Sequence, residues 1–281
     1  MLKFFRRIRK ALLDSGSARK PASPAGRYLL YAIGEIALVV IGILIALQVN
    51  NWNEDIAREK NIRGHLANLI DAIEMDSSSF HFQLGQQGFR FHAIKYLIEL
   101  TGNEMREYGY EYTEFPSNQG RGGARWDRPI PTEYNEEFIK RGFGWVVAGA
   151  PSGIIINKSA IEEFRTNGLF SALKNEELKK KILTYYRRGD ATYTGRAWEY
   201  KLDLSLQVQE CFLYQYDIDI IRIENIKDVI DKIKSEKILL ANLHLLLDNV
   251  SWSCQTFLQS QRHAAELLVD LRAELNRSIE R

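Results

Sequence analysis

The chain of 281 residues has two cysteines, six prolines and three methionines. Cys211 and Cys254 are too few to build a disulfide-rich secreted scaffold. An oxidising compartment would let the two pair, while their apolar helical surroundings suit two buried thiols; both readings stay open. The five histidines, at 65, 81, 92, 244 and 263, have no zinc-site spacing with cysteines or acids. No Ser/His/Asp arrangement carries a supporting motif, and Gly120–Gly123 is not followed by the Gly-Lys-Ser/Thr of a phosphate loop. No catalytic residue, metal or cofactor is therefore nominated, and an enzyme is not expected. A chain 45% hydrophobic and 26% charged is also not disordered in bulk.

What is present is one long apolar run. Tyr28–Val49 is 22 residues with one ionisable side chain, Glu35, and no proline. As a helix it is about 33 Å long, enough for a bilayer core of roughly 30 Å. It exceeds the apolar core of a cleaved signal peptide and no Ala-x-Ala site follows it, so a retained signal anchor is expected. No second run is long enough to span, which makes the protein single-pass.

Charge orients the span. Residues 1–27 hold eight Lys/Arg against Asp14 alone, while the remaining chain holds 30 basic and 35 acidic side chains. A basic flank marks the cytoplasmic side. The N-terminus is expected inside and the C-terminal domain outside the cytoplasm. That domain is mildly acidic, which argues against nucleic acid as a partner. Leu2, Phe5, Ile8 and Leu12 share a helical stripe among basic residues, suiting either a surface-lying helix or a tail that only sets topology. Ser15–Gly26 reads as a flexible linker.

Beyond the span the pattern is helical. Ile62, Leu66, Leu69, Ile73 and Phe80 form an a/d seam with Asp76 as its polar interruption. Gly85 and Gly88 are expected breaks. Residues 101–135 lose periodicity and read as a long loop. Trp145–Ala148 and Ile154–Ile156 flank a Gly/Pro-containing turn and predict a β-hairpin. Ser159–Glu162 reads as a capping box opening a helix that ends at Asn167-Gly168. Asn175 caps another, expected to run to Tyr186. A third is expected from about Ala191 to Tyr216, and Ile218–Ile223 is ambiguous, with a short strand as one reading. Val250, Cys254, Phe257, Gln261, Ala264, Leu268, Leu271 and Leu275 make a second long seam.

The expected fold is mainly α. A cytoplasmic tail (1–27) precedes a transmembrane anchor (28–49) and an exported, mostly helical domain (50–281). In that domain stalk segments 52–100 and 236–280 pair antiparallel as a coiled coil, and 101–235 forms a small helical head with the short β-hairpin.

Tyr31–Glu54, YAIGEIALVVIGILIALQVNNWNE, resembles the signature of an uncharacterised family of bacterial single-span membrane proteins, a domain of unknown function. Residues 162–186, EEFRTNGLFSALKNEELKKKILTYY, are similar to the family's middle motif, with Asn167 where Ser is more usual. The Gly/Trp-rich region 117–131 departs from that pattern. The resemblance implies an inner-membrane location with a periplasmic domain, and no chemistry.

Two constellations remain. Glu35, Gly42, Ala46, Asn50 and Asn53 lie on one helical face, and Gly42-x-x-x-Ala46 is a small-residue packing pair. An acid inside a span suits ion coupling in a membrane complex, or packing alone. Arg121, Arg125, Trp126, Asp127 and Arg128 suit a binding loop, or a solvated one. The function expected is a membrane-anchored, non-enzymatic interaction or sensor-type module, as a homo-oligomer or with a partner membrane protein. The alternative is an accessory subunit of a membrane complex that uses Glu35 for packing or ion coupling.

Overall fold

The structure, a computed structural model, describes residues 24–102, 128–148, 154–219 and 223–277. Their helices are α1 (Pro24–Leu100), α2 (Glu136–Ala148), α3 (Ser159–Thr166), α4 (Leu169–Ala172), α5 (Glu176–Tyr193), α6 (Arg196–Glu210), α7 (Ile226–Ser235) and α8 (Lys237–Arg277). α6 ends in a π-helical turn, Cys211–Gln215. The chain forms two compact units, residues 1–59 and 60–281, and α1 contributes to both.

In the first unit the large apolar side chains from Ile33 to Ile56 are exposed all round the helix, apart from the half-covered Leu38. An 18-residue window of α1 has a mean hydropathy of 2.5 with none of it buried. A single described helix is thus long and apolar enough to cross a membrane.

In the second unit α1 is a core helix. Its seam residues Leu66, Leu69, Ile73 and Phe80 are buried, and Ile62 is half-buried. α8 answers with Val250, Cys254, Phe257, Ala264, Leu268 and Leu271. α5 and α6 pack on α8 and on each other, α7 packs on α8, and α2 packs on α6 and α7. Phe138 of α2 meets Phe89 and Tyr96 of α1 edge-on, with ring centroids 5.8 and 5.1 Å apart. The backbones are close here: a Cβ added at Gly142 would lie 2.9 Å from Cβ of Ala93.

Several expectations are corrected. α1 does not break at Gly85 and Gly88. Each glycine costs a helix about 1 kcal/mol, but residues 84–90 are all buried, so tertiary packing decides. The β-hairpin is absent, and no strand forms among the described residues. Trp145–Ala148 continues α2, whose buried Phe138, Ile139 and Gly142 recur at helical spacing. Ile154–Ile156 is extended and does alternate: Ile154 and Ile156 are buried while Ile155 is 93% exposed. It packs on helices instead of a partner strand, with Ile156 against Gly189 of α5.

Ends differ by a residue or more. Ser159 is the first residue of α3 and does not cap it; its N–H and hydroxyl both bond Asn157 Oδ1. Gly168 follows the helix at φ +70°, the left-handed conformation that glycine takes without strain. Asn175 does cap α5, accepting from the Leu178 N–H at 3.1 Å, but α5 runs to Tyr193. Cys211 and Cys254 are buried free thiols and form no disulfide.

Candidate functional site

Helices α5 and α8 run antiparallel, and two contacts set their register. Lys181 Nζ lies 2.5 Å from Asp270 Oδ2, and Arg188 Nη1 lies 3.0 Å from His263 Nε2. Both steps are seven residues, two helical turns, in opposite directions. Between and beyond these contacts the helices part to leave a half-open groove of about 790 Å³. Such separation follows from the small side chains that face it, Thr184, Gly189, Thr192, Thr256 and Ser260.

The floor is apolar and aromatic. Phe80 of α1, Tyr193 of α5 and Phe257 of α8 stack in series, with centroid spacings of 5.8 and 5.9 Å. Trp198 packs edge-on against both Tyr193 and Phe257. The Tyr193 hydroxyl donates to Ser260 Oγ at 2.7 Å.

Asp76 lies on α1 four residues before Phe80. It is 3% exposed and accepts two hydrogen bonds, from the Asn157 N–H at 3.0 Å and the Tyr185 hydroxyl at 2.9 Å. Burial pushes its carboxyl above the usual aspartate range, against the pull of both bonds. Burial and then the nearby Asp76 charge push the Tyr185 and Tyr186 hydroxyls well above the ordinary tyrosine range, so both stay protonated at neutral pH. Tyr185 therefore serves as donor and wall at once: its hydroxyl holds Asp76 while the residue lines the groove.

The groove is electrically two-ended. At one end Lys181 is held by Asp270, whose hydrogen bond keeps the ammonium pKa above its ordinary value, and Glu266 lies nearby. At the other end Arg188 and Arg262 have no carboxylate within ion-pair range among the described residues, and Arg188 Nη1 meets the His263 imidazole.

The nominated residues lie elsewhere. Glu35, Gly42 and Ala46 are all exposed on α1, and a Cβ at Gly42 would meet nothing within 4 Å. Asn50, on the same stripe, donates to Glu54 at 2.7 Å, one turn along its own helix. Of the loop set, Arg121, Arg125, Trp126 and Asp127 lie outside the described residues. Arg128 pairs with Glu137 of α2 at 2.7 Å, which gives it a bridging role at the start of α2. His65 is stacked on Phe164 at 5.0 Å. Among the described residues no group of three or more His, Cys, Asp or Glu is placed to hold a metal ion.

Each groove residue is an ordinary polar residue on an amphipathic helix and forms no local motif. A signal was available: Lys181/Arg188 and His263/Asp270 repeat the same seven-residue spacing on two helices.

A mainly helical chain in which one described helix carries a long, uncovered apolar stretch is the class these features define. Residues 35–97 match a family of unknown function (DUF6090). The match covers well under half of the chain, and the block at 162–186 lies outside it. Neither a curated protein nor a solved structure matches the chain.

Proposed function

We propose that this protein is a membrane-anchored interaction or sensor-type module, held by residues 28–49, whose helical domain from residue 60 onward does its work outside the cytoplasm. The observation that carries this is the unburied apolar stretch of α1. A helix apolar on every side has no stable place in water, and lipid is the solvent that removes the penalty. Trp52 at the end of the stretch suits the membrane interface. The basic residues before the span support an inner-membrane, N-inside arrangement with a periplasmic domain. The match to a family of unknown function is compatible with this reading and adds no chemistry to it.

Within the exported domain, Glu74 pairs with Arg272 and Arg90 lies near Cys254, two α1–α8 neighbours whose numbers run in opposite directions and support an antiparallel stalk. Gly42 and Ala46, exposed on one face, support self-association of the span or docking of a partner membrane helix, with Glu35 buried between helices. Carbonate extraction tests the anchor. The full chain should stay with the membrane pellet, while a chain lacking residues 1–54 should be released. Release of the full chain would remove the reading.

A further inference from the structure

We infer that the cationic end of the α5–α8 groove is a binding site for a small polyhydroxylated carboxylate, a sugar acid in chemical class. The inference rests on the sensor-type reading and supplies its ligand. Arg188 and Arg262 are two guanidinium groups at one end of a groove, and among the described residues neither is paired with a carboxylate. At the other end of the groove the lysines are matched: Lys181 takes Asp270, and Lys180 takes Glu177. Arginine binds carboxylates through a planar fork of two parallel N–H donors; Arg188 spends Nη1 on His263, and its other N–H groups remain for a ligand acid.

The lining beside the arginines is chemically consistent with the rest of such a ligand. Thr192, Thr256 and Gln259 present hydroxyl and amide groups that donate and accept, as sugar hydroxyls require. Ser260 already accepts from Tyr193, which leaves its own proton free to be donated outward. The ring faces of Tyr193 are covered by Phe80 and Phe257, so the floor offers a fixed apolar base without a stacking platform. A volume of about 790 Å³ accommodates a molecule of monosaccharide to disaccharide size. The floor also joins the site to the core, because Tyr185 lines the groove and holds Asp76 of α1. Occupancy of the groove would thereby act on the helix that leads to the proposed span.

The test is calorimetric titration of the full chain in lipid nanodiscs. D-glucuronate, D-glucose and inorganic phosphate are titrated separately. The inference expects saturable binding of glucuronate and none of glucose. Arg188→Gln and Arg262→Gln should each weaken glucuronate roughly tenfold or more, as loss of a charge-assisted contact does. Lys60→Gln, which lies outside the groove, should leave it unchanged, and unaltered thermal melting would show that the arginine variants remain folded. Absence of glucuronate binding, equal binding by the arginine variants, or binding of phosphate alone would overturn the inference. Because the same nanodisc sample reports whether the chain inserts into lipid, failure of the ligand site is distinguishable from failure of the membrane reading.

Discussion

The Tyr185 hydroxyl donates to Asp76 Oδ2 at 2.9 Å across 109 residues of sequence, inside the helical core. With the Asn157 N–H on Oδ1, it ties α5 and the segment before α3 to one carboxylate of α1. Removing that acceptor leaves the buried Tyr185 hydroxyl and the part-buried Asn157 N–H unsatisfied, at a cost of about 1–3 kcal/mol for the buried donor. Asp76→Leu should therefore destabilise the protein strongly, and Asp76→Asn much less, since its amide oxygen still accepts from the Asn157 N–H while its NH2 donates to a reoriented Tyr185 hydroxyl. Urea denaturation in detergent measures both, and similar losses for the two would contradict the account.

The same carboxyl fixes a pH dependence. Its native pKa is raised above the ordinary value of 3.8. The native state thus holds the proton more tightly than the unfolded state does. The contribution of Asp76 is fully present below that ordinary value and is lost as pH rises through the native pKa. The stability of Asp76→Asn relative to the natural protein should accordingly increase with pH across that window. A difference that is flat, or that shrinks as pH rises, would refute the sign.

Gly168 sits at φ +70° at the end of α3. The left-handed conformation costs a residue with a side chain roughly 1–2 kcal/mol. Gly168→Ala should lower stability by that order, although a Cβ there would meet nothing within 4 Å. Gly64→Ala, in the middle of α1 and equally open, should be neutral or slightly stabilising. The pair separates backbone strain from crowding in a single set of melts.

For the stalk, Glu74 and Arg272 are the pair to exploit. Cysteines placed at both positions should be joined by a short bis-maleimide reagent within one chain. Joining only between chains would make the pairing of α1 with α8 intermolecular.

Self-association of the span rests on close packing, because apolar helices gain no hydrophobic energy by meeting in lipid. Gly42→Ile should weaken it in a membrane two-hybrid assay, and Ile43→Leu should not. Equal behaviour of the two would remove Gly42 and Ala46 from any seam.

Long-range order was legible in this sequence where periodicity was long. Most of the a/d seam from Ile62 to Phe80 and of the one from Val250 to Leu275 is in the core, with Ile62, Gln261 and Leu275 half-buried at its margins. Asp76, visible as the one polar break in the first seam, is the residue with the most informative partners. Short signals failed for physical reasons. Trp145–Ala148 has β-rich composition, yet α2 has a helical face to bury against Phe89 and Tyr96. Gly85 and Gly88 are breakers in isolation and are overruled when every neighbour is buried. The groove was not legible because its parts come from three helices, and only their register brings Arg188 to His263 and Tyr185 to Asp76.

The central claim is that residues 28–49 cross the membrane with the helical domain outside the cytoplasm. A reporter pair fused after Arg281 tests it most directly: alkaline phosphatase, active only after export, and green fluorescent protein, fluorescent only when kept inside. An active phosphatase fusion and a dark fluorescent one are the expected result. A fluorescent fusion with inactive phosphatase would place the domain in the cytoplasm and contradict it.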